Sequence, residues 1–260
     1  MELLKIDSVT KTFGGLHALR QVSFDIMEGE IVSLIGPNGA GKTTLFNCVN
    51  GLLPILEGDI FFVGKNLIGL RPHQIAELGM ARTFQITRLF SKMTILENMI
   101  VGQHHLLKAG LWSGLLRPGW VSDEERNAVD KSLKILSLFE ERLLPRKDTF
   151  AETLSYANKR RLEIARALAS EPKLLLLDEP TAGMNPYETE GIIRLIKRIK
   201  EMGITILIIE HDMKVIMGAS DRIIVLDHGE KIAEGLPSEI QTNGKVIQAY
   251  MGKRHRHAET

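Results

Sequence analysis

Cysteine is nearly missing from this chain: Cys48 stands alone, which excludes an intrachain disulfide and agrees with a reducing compartment. Its neighbours Leu45, Phe46 and Val49 are apolar, so it reads as a small buried apolar residue. Long apolar runs are missing too. Nothing approaches the roughly 18 to 20 apolar residues that span a bilayer, so the chain is not expected to cross a membrane by itself. The start, MELLKIDSVT, has no basic stretch followed by an apolar core and a small-residue cleavage site, so a cytoplasmic location is expected. An excess charge of either sign is lacking as well: 33 basic against 32 acidic side chains leave a formal +1, giving no electrostatic reason to expect nucleic acid. What remains is 44% hydrophobic and 25% charged residues, the composition of a folded chain. The length suits one α/β domain that carries an insertion.

Residues 3–9 and 22–26 alternate apolar with polar side chains and predict half-buried strands in an antiparallel portion. The mostly apolar run 30–36 predicts a strand leading through a glycine-rich turn into a helix from near Lys42. Residues 73–80 and 125–139 read as helices, the second with Asp123, Glu124 and Glu125 placing negative charge at its start. Ser155 caps a helix expected to run to about Ala169. Beyond it comes a βαβ pattern: a buried strand 174–178, a helix 188–202 and a strand 204–210. A hairpin over 223–234 turns at His228-Gly229. The tail 253–260 is polar and basic and reads as a solvated end.

Gly36-Pro37-Asn38-Gly39-Ala40-Gly41-Lys42-Thr43-Thr44 fits G-x-x-x-x-G-K-[ST] between a strand and a helix, as a phosphate loop requires. Its glycines let consecutive backbone N–H groups curl around phosphates, and the following helix adds its positive dipole end. Lys42 is expected on the β- and γ-phosphates, the Thr43 hydroxyl on Mg²⁺, and Thr44 in the same turn. The strand Leu174-Leu-Leu-Leu-Asp178-Glu179-Pro180 ends in adjacent carboxylates, which alternation aims in different directions. Asp178 is placed to hold the metal through water, which leaves Glu179 to polarise an attacking water as general base.

A phosphate loop alone serves many enzymes. Leu154-Ser155-Tyr156-Ala157-Asn158-Lys159-Arg160-Arg161, ahead of Asp178, narrows the choice because it resembles the signature of ATP-binding cassette (ABC) proteins. The resemblance runs from Phe13 to about Gly252. It implies that Phe13 stacks on adenine, that Gln85 is the Q-loop residue touching Mg²⁺ or water, and that His211 contacts the γ-phosphate and keeps Glu179 and water in register. It also implies that two subunits pair head to tail, as a homodimer or a heterodimer. Each ATP would then lie between one phosphate loop and the other chain's signature, with Ser155 and the Ala157 N–H as phosphate ligands. The sequence departs from the usual Leu-Ser-Gly-Gly-Gln at Tyr156, Ala157 and Asn158, and Asn185 stands where the family often has aspartate.

Within that family the chain resembles the ATPase subunits of branched-chain amino acid importers. The features are Gly14-Gly15-Leu16 after Phe13, the Ser-Tyr signature continuing through Arg160-Arg161 to Arg166, and the ending Val246-Ile-Gln-Ala-Tyr250-Met-Gly252. That implies integral-membrane permease partners, an indirect link to an extracytoplasmic solute-binding protein, and a peripheral place on the cytoplasmic membrane face. The expected architecture is a P-loop α/β core of mixed sheet with an antiparallel portion and a helical subdomain at 88–170, including an extra segment 103–121. Lipopolysaccharide-extracting ATPases are a second reading, as a group without that segment; a soluble or catalytically silent cassette is a third. The coupling surface is expected between Gln85 and about Glu97. Both tryptophans, Trp112 and Trp120, fall in the extra segment, where they cover the insertion's own core or lie against permease or membrane.

Overall fold

A computed structural model describes residues 1–85, 88–106, 119–139 and 142–251. Trp112, the Trp120 side chain, most of segment 103–121 and the tail after Met251 lie outside the described residues, and with them the expectations placed there.

The alternating N-terminal stretch folds as β1 (Glu2–Phe13) and β2 (Leu16–Met27), an antiparallel hairpin longer than the two short strands predicted. The apolar run becomes β3 (Ile31–Ile35), buried at every position, and the phosphate loop leads from it into α1 (Lys42–Val49). Two short strands follow, β4 (Glu57–Phe62) and β5 (Lys65–Asn66). They complete an antiparallel sheet of order β2-β1-β4-β5. The helix predicted over 73–80 is α2 (Pro72–Glu77) and stops early. Gly79 takes φ +102°, a conformation open to glycine at little cost, and Met80 starts a strand, β6 (Met80–Arg82).

Among the described residues, helices follow β6 from residue 95 onward. In α3 (Ile95–Gly102), Thr94 accepts from the Glu97 N–H at 3.2 Å while Glu97 accepts from the Thr94 N–H at 2.7 Å. The helix predicted over 125–139 is α4 (Gly119–Ser137); it begins ahead of the acidic cluster taken as its start. Ser155 caps α5 (Tyr156–Ala169) as expected. The chain then runs β7 (Leu174–Asp178), α6 (Pro186–Glu201), β8 (Thr205–Ile209), α7 (Met213–Ala219), β9 (Arg222–Asp227) and β10 (Glu230–Gly235). It ends in α8 (Pro237–Thr242) and α9 (Gly244–Met251).

The second sheet has the order β10-β9-β3-β8-β7-β6, parallel except for β10, which pairs antiparallel with β9. It is the mixed sheet that was expected. Because side chains alternate across a strand, one sheet feeds two cores. Leu174, Leu176 and Leu207 face the antiparallel sheet and Phe46, whereas Leu175, Leu177 and Ile206 face Ile95, Leu162 and Ile192 on the helices. Cys48 sits in the first core, where burial pushes its thiol up to about 11 and keeps it protonated at neutral pH.

Candidate active site

The phosphate loop is held from two sides. The Gly229 N–H at the β9–β10 turn donates to the Ala40 carbonyl at 3.1 Å, and the Arg20 N–H of β2 donates to the Gly229 carbonyl at 2.8 Å. Two of its glycines have steric reasons. Gly36 has φ +149°, and a Cβ there would lie 2.0 Å from the Leu226 carbonyl oxygen; at Gly41, φ +102°, it would lie 2.5 Å from that of Ala18. Lys42 Nζ donates to the Gly36 and Pro37 carbonyls at 2.7 and 3.1 Å, curled over the loop it serves. Asn38, Gly39 and Thr43 are exposed at the rim.

This loop forms one wall of an open cleft of about 450 Å³. Phe13, half-exposed, stands on one lip, with Lys11 Nζ 5.1 Å from its ring centroid. Gln85 and Glu179 stand at the other end. Gln85 Nε2 donates to Glu179 Oε2 at 3.2 Å, and His211 Nδ1 lies 3.7 Å from Glu179 Oε1. The three residues assigned to catalysis from the sequence thus meet, although they belong to three different segments. Glu179 also holds φ +47°, an uncommon conformation for a side chain with a Cβ that costs about 1–3 kcal/mol. Its N–H donates to the Ile209 carbonyl at 2.9 Å, which fixes the carboxylate past the end of β7. The neighbouring Glu210 is buried; it accepts from Thr181 N–H and Oγ1 and from the N–H groups of His211 and Asp212, anchoring the His211 turn.

Asp178 has a partner that the sequence reading missed. Arg82 Nη2 pairs with Asp178 Oδ2 at 2.8 Å, both side chains being nearly buried at 7% and 6% exposure. Arg82 also donates to Asn47 Oδ1 at 2.7 Å and lies over the Phe46 and Phe84 rings. Breaking a buried pair leaves an uncompensated charge and typically costs about 3–5 kcal/mol. Arg82→Met is therefore expected to melt about 10 °C below wild type by calorimetry; an unchanged midpoint would remove Arg82 from the support of Asp178.

Thr43, Gln85 and Asp178 offer a hydroxyl, an amide oxygen and a carboxylate, the hard donors that suit Mg²⁺. Among the described residues no group of three or more His, Cys, Asp and Glu could hold a metal. A set with one carboxylate suits Mg²⁺, which usually keeps several waters and is bound through one or two carboxylates plus substrate phosphates.

Ser155 and Ala157 lie outside this cleft. Ser155 Oγ accepts from the Asn158 N–H at 3.4 Å at the start of α5. Ser155 and Tyr156 are exposed, whereas Ala157 is 4% exposed and packs inward. Asn158 Oδ1 accepts from Arg161 Nη1 at 3.1 Å. Asn185 caps α6, its Oδ1 accepting from the Glu188 N–H at 2.9 Å.

Residues 19–182 match the family described as ABC transporter, and residues 230–256 the one described as branched-chain amino acid ATP-binding cassette transporter. The high-affinity branched-chain amino acid transport ATP-binding protein LivG of Salmonella typhimurium is 46% identical over 252 residues, 96% of this chain and 98% of its own length. A solved ATP-binding cassette of an ABC transporter, in its ADP conformation, superposes with a TM-score of 0.84 at 34% identity, covering 97% of this chain and 99% of that one. A dimeric cassette in a post-hydrolysis state with ADP and Pi gives 0.75 at 28% identity, over 90% and 99% of the two chains. With phosphate loop, paired carboxylates and histidine assembled on one sheet, and with relatives matched along nearly its full length, this chain belongs to the ABC transporter family and is one of its ATP-hydrolysing cassettes.

Proposed function

We propose that this cassette drives an importer of branched-chain or other small amino acids, as a homodimer or heterodimer seated under integral-membrane permease subunits. The observation that carries the hydrolytic part is the meeting of Gln85, Glu179 and His211 at the cleft that the phosphate loop lines. The solute class is supported by the LivG relative and by the match at residues 230–256. No helix among the described residues is long and apolar enough to cross a membrane.

Phe13 stacks on the base, loop N–H groups and Lys42 hold the phosphates, and Thr43, Asp178 and Gln85 supply oxygens toward Mg²⁺. Bound Mg²⁺ neutralises charge on the phosphates. Glu179 Oε1 takes the proton of the attacking water, and His211 beside it steadies that carboxylate and faces the γ-phosphate. The position of Ser155 outside the cleft suits head-to-tail pairing, in which its helix end meets the partner's nucleotide. Closure on ATP and reopening after hydrolysis then move the permease.

Residues 88–170, taken as a helical subdomain, carry the docking face in this reading. A groove of about 310 Å³ is lined by residues on both sides of the boundary at 88, among them Ile75, Met80, Phe84, His105 and Arg166. Arg88 and Phe90 are exposed, Phe90 by 47%, while Leu89 packs into the helical core. Arg88→Ala and Phe90→Ala are expected to abolish permease stimulation of hydrolysis while basal hydrolysis persists; Leu89→Ala should act through stability. The test is ATPase activity of the vesicle-reconstituted assembly with its solute-binding protein, with and without leucine. Stimulation by leucine that Arg88→Ala and Phe90→Ala remove supports the reading. Stimulation by another solute class alone rejects the amino-acid assignment, and full stimulation of both folded variants rejects the docking face.

A further inference from the structure

Among the described residues Arg160 is the bulkiest fully buried side chain, 1% exposed, and an arginine shut away from water has to be paired to be tolerated. It is held on α5 by Glu163, 2% exposed, with Nη1 to Oε2 at 2.9 Å. The rest of its fork does not serve the helix. Nη1 also donates to the Phe84 carbonyl, and Nη2 donates to the Gln85 carbonyl at 2.5 Å. The other oxygen of Glu163 accepts from the Arg88 N–H at 3.3 Å. One ion pair on α5 thus grips the backbone on both sides of the catalytic glutamine, at three points 75 or 76 residues away in sequence. Loop residues are ordinarily the mobile part of a site, but Phe84, Gln85 and Arg88 are tied to a helix.

The same helix begins at Ser155. Arg160 stands five positions after that cap, about 7.5 Å along the axis, with no glycine or proline between. One end of this rigid lever therefore holds Gln85, whose amide touches Glu179 at this chain's own site. The other end is the signature, which in the head-to-tail pairing proposed above meets the partner's nucleotide.

We infer that Arg160, held by Glu163, is a positioning residue that couples the two ATP sites of the dimer, fixing the signature turn of α5 according to the place of Gln85. The inference rests on the head-to-tail reading. It requires reciprocity: whatever ATP at one site gains at the other, the second returns, and coupling of this kind is typically about 5- to 150-fold in affinity.

The test compares wild type with Arg160→Lys and with the double variant Arg160→Met, Glu163→Leu. Lysine keeps the charge but cannot reach two carbonyls as a fork does. The double variant removes the pair without stranding a buried charge, so it is the one expected to stay folded. Three quantities are measured on the full chain with Mg²⁺: ADP affinity, ATP-driven dimerisation, and the Hill coefficient of hydrolysis against ATP concentration. The expected result is ADP affinity within about twofold of wild type, dimerisation retained, and a Hill coefficient falling from about 1.4–1.8 toward 1 in both variants, as loss of a coupling of about 5- to 150-fold between two sites dictates. A merely structural role would lower the melting point or turnover at every ATP concentration and leave the Hill coefficient as it was; that result overturns the inference. Wild type that stays monomeric with ATP overturns the head-to-tail reading itself, and the inference with it.

Discussion

Glu179→Gln is expected to bind ATP as wild type does and to release phosphate about 10²- to 10⁴-fold more slowly, the usual cost of losing a general base. The change is nearly isosteric. A glutamine oxygen can still accept from Gln85 Nε2, now at 3.2 Å from Glu179, and the N–H bond to the Ile209 carbonyl is untouched. What disappears is the oxygen able to take a proton from water. In the proposed cycle ATP closes the dimer and hydrolysis reopens it, so the variant should also accumulate as a dimer in ATP, visible by size-exclusion chromatography. Near-normal phosphate release from folded Glu179→Gln would refute the assignment.

Lys42→Ala should fail one step earlier. Each hydrogen bond to a charged group contributes about 1.5–3 kcal/mol, so losing the ammonium at the phosphates should weaken nucleotide binding by about ten- to a hundredfold. The loop itself should survive. Its shape is set by Gly36 and Gly41 and by the bond from the Gly229 N–H to the Ala40 carbonyl, none of which needs the lysine side chain. Calorimetric titration with ATP·Mg²⁺ measures the loss, and thermal melting without nucleotide checks the loop. Equal affinities for ATP would sink the phosphate-loop reading of Lys42.

The phosphate loop, Asp178 and Glu179 could be read from the chain because each lies in a short segment whose pattern is local: an apolar strand, then glycines or acids, then a helix. Gln85 and His211 became legible only through resemblance, since neither segment alone says that the two meet Glu179. Three features stayed hidden for physical reasons. β6 is three residues long, too short for a period of two to show, and its first residue, Met80, falls within the helix predicted over 73–80. Arg82 therefore had no strand to place it beside Asp178, 96 residues away. Arg160 looked like one of several bases in a helix, because nothing in a helical pattern tells a solvated arginine from one whose fork closes on a distant backbone. At α4 the acidic cluster was taken for the helix start, but the helix extends in front of it.

The sheet order also sets a timetable for synthesis. β3, which carries the phosphate loop, is flanked by β8 and β9, and the loop is tied down by Gly229. When Lys42 leaves the ribosome, none of these neighbours exists. Roughly 190 further residues must be made, about 10–40 s at ~5–20 residues per second, before the loop has the walls that shape it. Until then β3 is an apolar strand with both edges open, the kind of segment that pairs with the wrong partner. A nascent chain halted before β9 would have its glycine loop and lysine in place without the strand and turn that hold the loop in shape.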